Sequence, residues 1–435
     1  MAAGEPQPRG VVLDCDVADG IPEIGPVAPG AEALVLVRLF TEPIGTVNPS
    51  LPTGRLAAHE LSKLIARELE SPLRARIEAS GLAWRCPLPS DGLVPASTPA
   101  FLATRERVLS DGPEITVAIS TRDRPDSLVK TLGSLTGQVY PRLRILVVDN
   151  APSDAATRKL VSALGRVQPI DYALEPRPGL SWARNRGIEA SDSEVIAFLD
   201  DDELCDPWWV AELARGFVEV PEADAVSGLI FPRELETESQ IWFERYSGVR
   251  RGRGFARAVL SPATAREQSP LYPLPPFGSG GNMAFRREAI ESIGRFDTAL
   301  GLGTPALAGE DTAALSALLL AGGTVVYQPT ALVYHRHHRS YQALRRVLLG
   351  YGRGLGAYYT SMLLRRPGCA GELVRLSGHA LREQLSRRRG GSSALGEDFP
   401  RELLHVNRLG LLQGPVMYAG ARLHARRVAR GTVRR

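Results

Sequence analysis

Four carboxylates stand in a row at Asp200-Asp201-Asp202-Glu203, directly after the apolar run Val195–Leu199. Four ionised acids repel one another unless something offsets their charge. In an extended chain side chains alternate, so Asp200 and Asp202 are expected on one face and Asp201 on the other. Two oxygen-rich side chains on one face suit a hard divalent ion, Mg²⁺ or Mn²⁺, that completes its shell from a substrate diphosphate. The competing reading is a solvated acidic loop leading into a helix capped by Asp206 ahead of Pro207-Trp208-Trp209.

Other polar residues sit at comparable places. The run ILVVDN (145–150) carries Asp149 at a strand end, where a carboxylate either accepts hydrogen bonds from a base or ribose or simply starts a turn. The run Ile115–Ser120 opens into Thr121-Arg122-Asp123-Arg124-Pro125, so three strand ends converge on polar residues. Between them, Arg177–Gly187 joins a glycine turn to a helix start rich in arginine, Arg184 among them, a pattern that favours phosphate or is a solvated basic turn. Glu310 and Asp311 follow the loop Gly301–Gly309 and open an apolar helix, where one acid could take a proton from an attacking hydroxyl or only cap the helix. His335 heads a group of three of the seven histidines and offers a ligand to a metal or a diphosphate. No GxxxxGK[ST] or GxSxG occurs, and Gly350, Gly352, Gly354 and Gly356 alternate after no strand, unlike a dinucleotide fingerprint.

The elements that must position these residues are legible in the spacing. From 115 onward short apolar runs alternate with helical stretches, marked first by Leu128, Leu132 and Leu135, which favours a parallel sheet covered on both faces. Before it, Ala33–Phe40 reads as a buried strand, and Leu56 through Ile77 recur at helical spacing. Residues 87–113, with five prolines, read as a linker, and the Pro-rich stretch 262–276 as a loop bordering the site. The expected organisation is a small N-terminal α/β appendage with linker (1–112), an α/β catalytic domain (113–338) and a basic helical C-terminal region (339–435).

Composition sets the outer limits. At 435 residues, 44% hydrophobic and 23% charged, the chain can bury a sizeable core. No run approaches the about 20 apolar residues of a spanning helix, and the start lacks a secretory pattern, so a cytoplasmic protein is expected. Four scattered cysteines without a CxxC pair point away from zinc ribbons and disulfide scaffolds. The net charge of +4 conceals an asymmetry. Residues 336–435 hold 20 Arg against five acids, a charge of +15, which leaves −11 for the remainder. A nucleic-acid binder is not expected, because the basic tail lacks a recognisable motif and interleaved aromatics.

Taken in order, ITVAISTRDRP, ILVVDN, RPGLSWARNRG, VIAFLDDDE, GSGGNMAFRR, GEDT and VYH resemble the family 2 glycosyltransferases, inverting enzymes of the GT-A fold, over residues 113 to about 338. The resemblance implies a Rossmann-like domain that takes a nucleotide-diphospho-sugar. Thr121, Arg122 and Asp149 would contact base and ribose, and Arg184 the diphosphate. Asp200 would lie near the ribose and Asp202 on a divalent metal, with His335 as a further ligand. Gly280, Gly281 and Asn282 would form the loop beside donor sugar and acceptor, and Asp311 would be the catalytic base. Processive members carry QxxRW, whereas Gln342-Ala-Leu-Arg345-Arg346 has Arg in place of Trp, so single addition is expected. The acceptor class is a cell-envelope glycan, a lipid-linked intermediate or a secondary metabolite. The rival readings are a nucleotide-sugar-binding protein without turnover and a sugar-phosphate nucleotidylyltransferase. Tyr341, Leu344, Val347, Leu348 and Tyr351 form an apolar stripe beside Arg345, Arg346 and Arg353, which either docks onto the catalytic domain or lies on an anionic membrane.

Overall fold

The computed structural model describes residues 9–95, 97–166, 169–248, 254–264, 269, 271, 280–376, 395–396 and 398–431. They divide into two compact units that do not follow chain order: Met1–Ser110 with Phe231–Ala256 and His335–Tyr341, and Asp111–Ile230 with Arg257–Tyr334 and Gln342–Arg435.

In the first unit, β1 (Gly10–Asp16) pairs parallel with β2 (Glu32–Leu39), which pairs antiparallel with β3 (Glu42–Val47). The helical spacing after Leu56 gives two helices rather than one, α1 (Ala58–Glu68) and α2 (Glu70–Ala79), because Leu69 leaves the helical region at φ −118°. Leu61, Ile65, Leu73 and Ile77 from these helices join Val35 and Val37 in one buried cluster. The expected linker contains a helix, α3 (Ala100–Asp111), whose buried Arg105 donates to Thr41 Oγ1 at 2.7 Å.

The second unit is built on strand–helix alternation. It runs β4 (Ile115–Thr121), α4 (Pro125–Thr136), β5 (Leu143–Asn150), α5 (Ala156–Leu164), β6 (Ile170–Glu175), α6 (Leu180–Glu189) and β7 (Val195–Asp200). Then come β8 (Glu203–Cys205), α7 (Trp209–Glu219), β9 (Ala223–Pro232), β10 (Ala258–Leu260), β11 (Met283–Arg286), α9 (Arg287–Ser292), α10 (Glu310–Leu320) and β12 (Thr324–His335), with α8 (Glu238–Ser247) belonging to the first unit. The sheet order is β10-β12-β9-β11-β7-β4-β5-β6, with β8 paired to β12. β4, β5, β6 and β7 are mutually parallel, while β11 runs antiparallel to β7 and β9. Val117, Ile119, Val147 and Val148 are fully enclosed, each adding on the order of 1.5–3 kcal/mol by burial. The expected α/β fold, Rossmann-like with an N-terminal appendage and a helical C-terminal region, is the one observed.

The chain winds from β4 outward to β6 and then returns to the other side of β4 as β7. That reversal opens a crevice beyond the carboxyl ends of β4 and β7, the place where open α/β sheets bind ligands. In register, Ser120 faces Asp200 and Thr121 faces Asp149, so the polar strand ends are brought together by pairing alone.

Among the described residues, two long C-terminal helices, α11 (Tyr341–Arg365) and α12 (Arg401–Ala429), follow, with a short helical stretch at 367–376 between them. Asn407 Nδ2 donates to Leu348 O at 2.8 Å, Arg353 Nε to Gln413 Oε1 at 2.8 Å and Tyr418 Oη to Ser361 Oγ at 3.0 Å, so the helices run parallel. The alternating glycines explain this contact. A Cβ at Gly352 or Gly356 would strike the α12 backbone at Asn407 or Leu411, while one at Gly354 would lie 2.6 Å from Ala308 Cβ. Residues four apart share a helix face, so one face of α11 meets α12 and another meets the loop before α10. Tyr358 Oη donates to Ser316 Oγ at 2.8 Å and holds the middle of α10. Leu344 and Leu348 of the apolar stripe are buried, whereas Tyr351 stays exposed.

Candidate active site

The acids after β7 do not alternate as an extended chain would. The strand ends at Asp200, Asp201 and Asp202 form a turn, and Glu203 begins β8. Asp201 is consequently buried. Thr121 Oγ1 donates to its Oδ2 at 2.6 Å and Arg124 Nη1 to its Oδ1 at 2.6 Å, while Arg124 Nη2 reaches Asp202 Oδ2 at 2.9 Å. Burial lifts the Asp201 carboxyl to about 6 against the opposing bonds from Thr121 and Arg124, and Asp202 and Asp200 add repulsion. Glu203, almost fully enclosed, is pushed well above the carboxylate range by burial and by Asp200 and Asp202.

Arg184 is the hub beneath these acids. It projects inward from α6 and is 2% exposed. Its Nη1 donates to Glu310 Oε1 at 2.7 Å, and its Nη2 donates to Gly280 O at 2.9 Å and to Asp200 Oδ1 at 3.4 Å. Gly280 N in turn donates to Asp311 Oδ2 at 2.7 Å, and Thr312 N to Asp311 Oδ1 at 2.6 Å. One guanidinium thus joins the end of β7, the loop before β11 and the start of α10, segments with no local reason in sequence to meet.

The electrostatics follow from this enclosure. Burial raises Glu310 to about 7 although Arg184 opposes it and Asp311 adds to it. Burial also raises Asp200, opposed by Arg184 and reinforced by Asp202 and Asp311. With 42% of the Asp200 side chain open, water at its edge moderates that rise. The loop is glycine because Arg184 and Glu203 leave little room. A Cβ on Gly280 would lie 2.7 Å from Arg184 Nη2, and one on Gly281 would collide with the Glu203 carboxylate.

A second polar cluster stands at the end of β5. Asp149 is fully buried, with Tyr172 Oη donating to its Oδ2 at 2.8 Å and, among the described residues, no hydrogen-bond partner at Oδ1. Burial raises its carboxyl, opposed by the Tyr172 bond. Asn150 Oδ1 accepts from Gly179 N at 2.9 Å and its Nδ2 donates to Arg177 O at 2.8 Å, which fixes the turn into α6. Arg177 is held by Glu175 and lies over the Trp182 ring, 4.0 Å from its centroid.

Several anticipated residues take structural positions. Thr121 spends its hydroxyl on Asp201, and Asn282 is enclosed, accepting from Trp209 Nε1 at 2.8 Å and donating to Leu229 O and Ala331 O. Arg122 is exposed, 3.8 Å from Asp123. His335 belongs to the first unit, where its Nδ1 lies 3.1 Å from that of His337, whose Nε2 lies 3.1 Å from Glu244 Oε2. The Pro-rich loop 262–276 falls largely outside the described residues. Glu203, Glu310 and Arg124 also belong to the cluster, although spacing alone does not pick them out individually. Their signal was present, an acid or arginine directly beside each chosen motif, but which neighbour turns inward depends on where the strand ends.

Among the described residues no three His, Cys, Asp or Glu side chains converge as a metal site. Two hard oxygen donors, the half-open Asp200 and the partly exposed Asp202, nevertheless suit an ion that takes its other ligands from water and a diphosphate.

Residues 116–294 match the family model Glycosyl transferase family 2. The succinoglycan biosynthesis protein ExoM of Rhizobium meliloti (strain 1021) is 30% identical over 236 residues, 51% of this chain and 66% of that protein. The glucosyl-dolichyl phosphate glucuronosyltransferase of Haloferax volcanii is 23% identical over 190 residues, 43% of this chain and 56% of that protein. The chain therefore spans less than two thirds of the length of these relatives. Among solved structures, a mannosyltransferase from Pyrobaculum calidifontis in complex with GDP-Man and Mn²⁺ aligns at a TM-score of 0.46 and 16% identity, over 86% of this chain and 100% of that one.

Proposed function

We propose that this chain, whose residues 116–294 are a family 2 glycosyltransferase domain, moves a sugar from a nucleotide-diphospho-sugar to an acceptor hydroxyl, with inversion and one addition per encounter. The observation that carries this reading is the bridge from Asp200 through Arg184 and Gly280 to Asp311, which brings an acid at a helix start into one cluster with the acids at the switch point of the sheet.

The roles follow from the chemistry of each group. Asp311, with one carboxylate oxygen held by Gly280 N and the other by Thr312 N, is aimed and not free to rotate, as a base for a hydroxyl proton must be. It deprotonates the acceptor oxygen, which attacks the anomeric carbon opposite the departing diphosphate, so configuration inverts and no protein nucleophile is needed. Asp149 Oδ1, buried and unpartnered, is suited to accept from a base or ribose donor, and such a bond would remove the cost of leaving it unsatisfied. Arg184 acts as a positioning residue for Asp200 and the Gly280 loop, because its guanidinium is committed within the protein. Asp200 and Asp202 would hold a divalent ion, Mg²⁺ or Mn²⁺, which when bound supplies positive charge to the leaving diphosphate. Arg124, half-exposed on Asp201 and Asp202, is a further cation beside that position.

Thermal unfolding of the protein with UDP-, GDP- and dTDP-sugars, with and without Mn²⁺, tests this reading, because a ligand that binds only the folded state raises its stability. A rise with one nucleotide class that depends on Mn²⁺ is the expected outcome. No rise with any donor, acceptor present or absent, would remove the nucleotide-sugar reading.

A further inference from the structure

The outward face of α12 is unusually apolar for a surface helix. Leu409, Leu412, Val416 and Leu423 lie at helical spacing on the side opposite the α11 contact, and Leu412 and Val416 are 78% and 68% exposed. The inward side is explained by Leu403, Val406, Gly410, Gly414, Tyr418 and Ala421, all buried. A helix needs only one such stripe to pack, so the second is unaccounted for by the fold. Nothing among the described residues covers it.

Charge identifies what fits it. The sequence from Leu403 to the end of α12 contains no Asp or Glu, while Arg408, Arg422, Arg426 and Arg427 are all exposed. Arg408, Arg422 and Arg426 fall along one edge of the apolar stripe, and Arg427 along the other. An apolar centre with arginine margins matches an interface whose surface is anionic and whose interior is hydrocarbon, because long basic side chains can reach outward to headgroups while the leucines enter the acyl boundary. No described helix is long and apolar enough to cross a membrane. The α11 stripe is a poorer candidate, as its Leu344 and Leu348 are buried.

We propose that this face of α12 docks in-plane on an anionic lipid surface. The consequence for the proposed transferase is that the crevice works beside a membrane, since α12 packs on α11, and α11 in turn on the loop leading to Glu310 and Asp311. That consequence rests on the glycosyltransferase reading, whereas the docking itself does not.

The test is flotation of the full chain with vesicles of phosphatidylcholine alone and of phosphatidylcholine with about one third phosphatidylglycerol, at low and high salt. Binding to the anionic vesicles only, weakened by salt, is expected. Leu412→Asp together with Val416→Asp should abolish it, and Arg408→Gln, Arg422→Gln and Arg426→Gln together should lower partitioning on the order of 100-fold. All these positions are exposed, and circular dichroism of each variant should match the parent. Failure to float with either vesicle overturns the proposal. So does a concentration-dependent dimer that Leu412→Asp dissociates, which would mean that a second copy covers the stripe. Nucleotide-sugar stabilisation should be the same in parent and variants, so loss of membrane binding and failure of the transferase reading are separable outcomes.

Discussion

Replacing Arg184 with Met tests whether one buried cation holds the acidic site together. The substitution removes the bonds to Glu310 Oε1 (2.7 Å) and Gly280 O (2.9 Å) and the longer contact to Asp200, and leaves Glu310 enclosed without its positive partner. Breaking a buried pair on one side typically costs about 3–5 kcal/mol. Protonation sets a ceiling on the charge part of that loss. Glu310 is already lifted to about 7 with Arg184 present, from an ordinary value of 4.5, so up to pH 7 the parent itself holds this acid largely neutral and the charge part of the variant's extra loss stays below about 1 kcal/mol. Above pH 7 the parent releases the proton and the variant does not, so the deficit grows by about 1.4 kcal/mol per pH unit, to about 3 kcal/mol at pH 9. Urea unfolding at pH 7 and pH 9 reads both numbers. Arg184→Met with Glu310→Gln should recover a large part of the pH 9 loss, because no buried charge remains to be neutralised. A single-variant loss that does not grow between pH 7 and pH 9, or a double variant no better than the single at pH 9, would refute the role of Arg184 as hub.

Two more predictions concern the same acids. Gly281→Ala drives a methyl into the Glu203 carboxylate; a loss of about 1–3 kcal/mol is expected, with weaker Mn²⁺ binding read by isothermal titration, and an unchanged midpoint would mean that the loop yields freely. Asp201, lifted to about 6 from 3.8, keeps its proton in the folded state between those values, so its contribution to stability is present below about pH 4 and is lost as pH rises through 6. It amounts to about 3 kcal/mol at most, and Asp201→Asn should flatten the unfolding profile over that window.

Much of the fold was legible because burial on both faces writes itself as short continuous apolar runs. Ile115–Ser120, Ile145–Val148 and Val195–Leu199 each lie inside an observed strand, and the acids after two of them stand at the crevice. What was not legible required contacts across long stretches of chain. The Arg184–Glu310 pair spans 126 residues, and nothing local distinguishes an arginine that enters the core from one that faces a phosphate. Asp201 was expected to point away because alternation was carried past Asp200, where the strand in fact gives way to a turn. The glycines of α11 do not fit a nucleotide motif, and only the approach of α12 to Gly352 and Gly356 and of Ala308 to Gly354 shows why small residues stand there. β12 runs unbroken from Thr324 to His335 through Pro329, a residue that usually ends a strand pattern.

The central claim is that Asp311 takes the acceptor proton. Asp311→Asn preserves the shape and an oxygen acceptor for Gly280 N while removing the base, so nucleotide-sugar binding by titration calorimetry should stay within about twofold. Transfer measured as released nucleoside diphosphate should fall roughly 10²–10⁴-fold. Transfer at the parent's rate with donor binding intact would contradict the assignment and send the search for a base to another acid of the cluster.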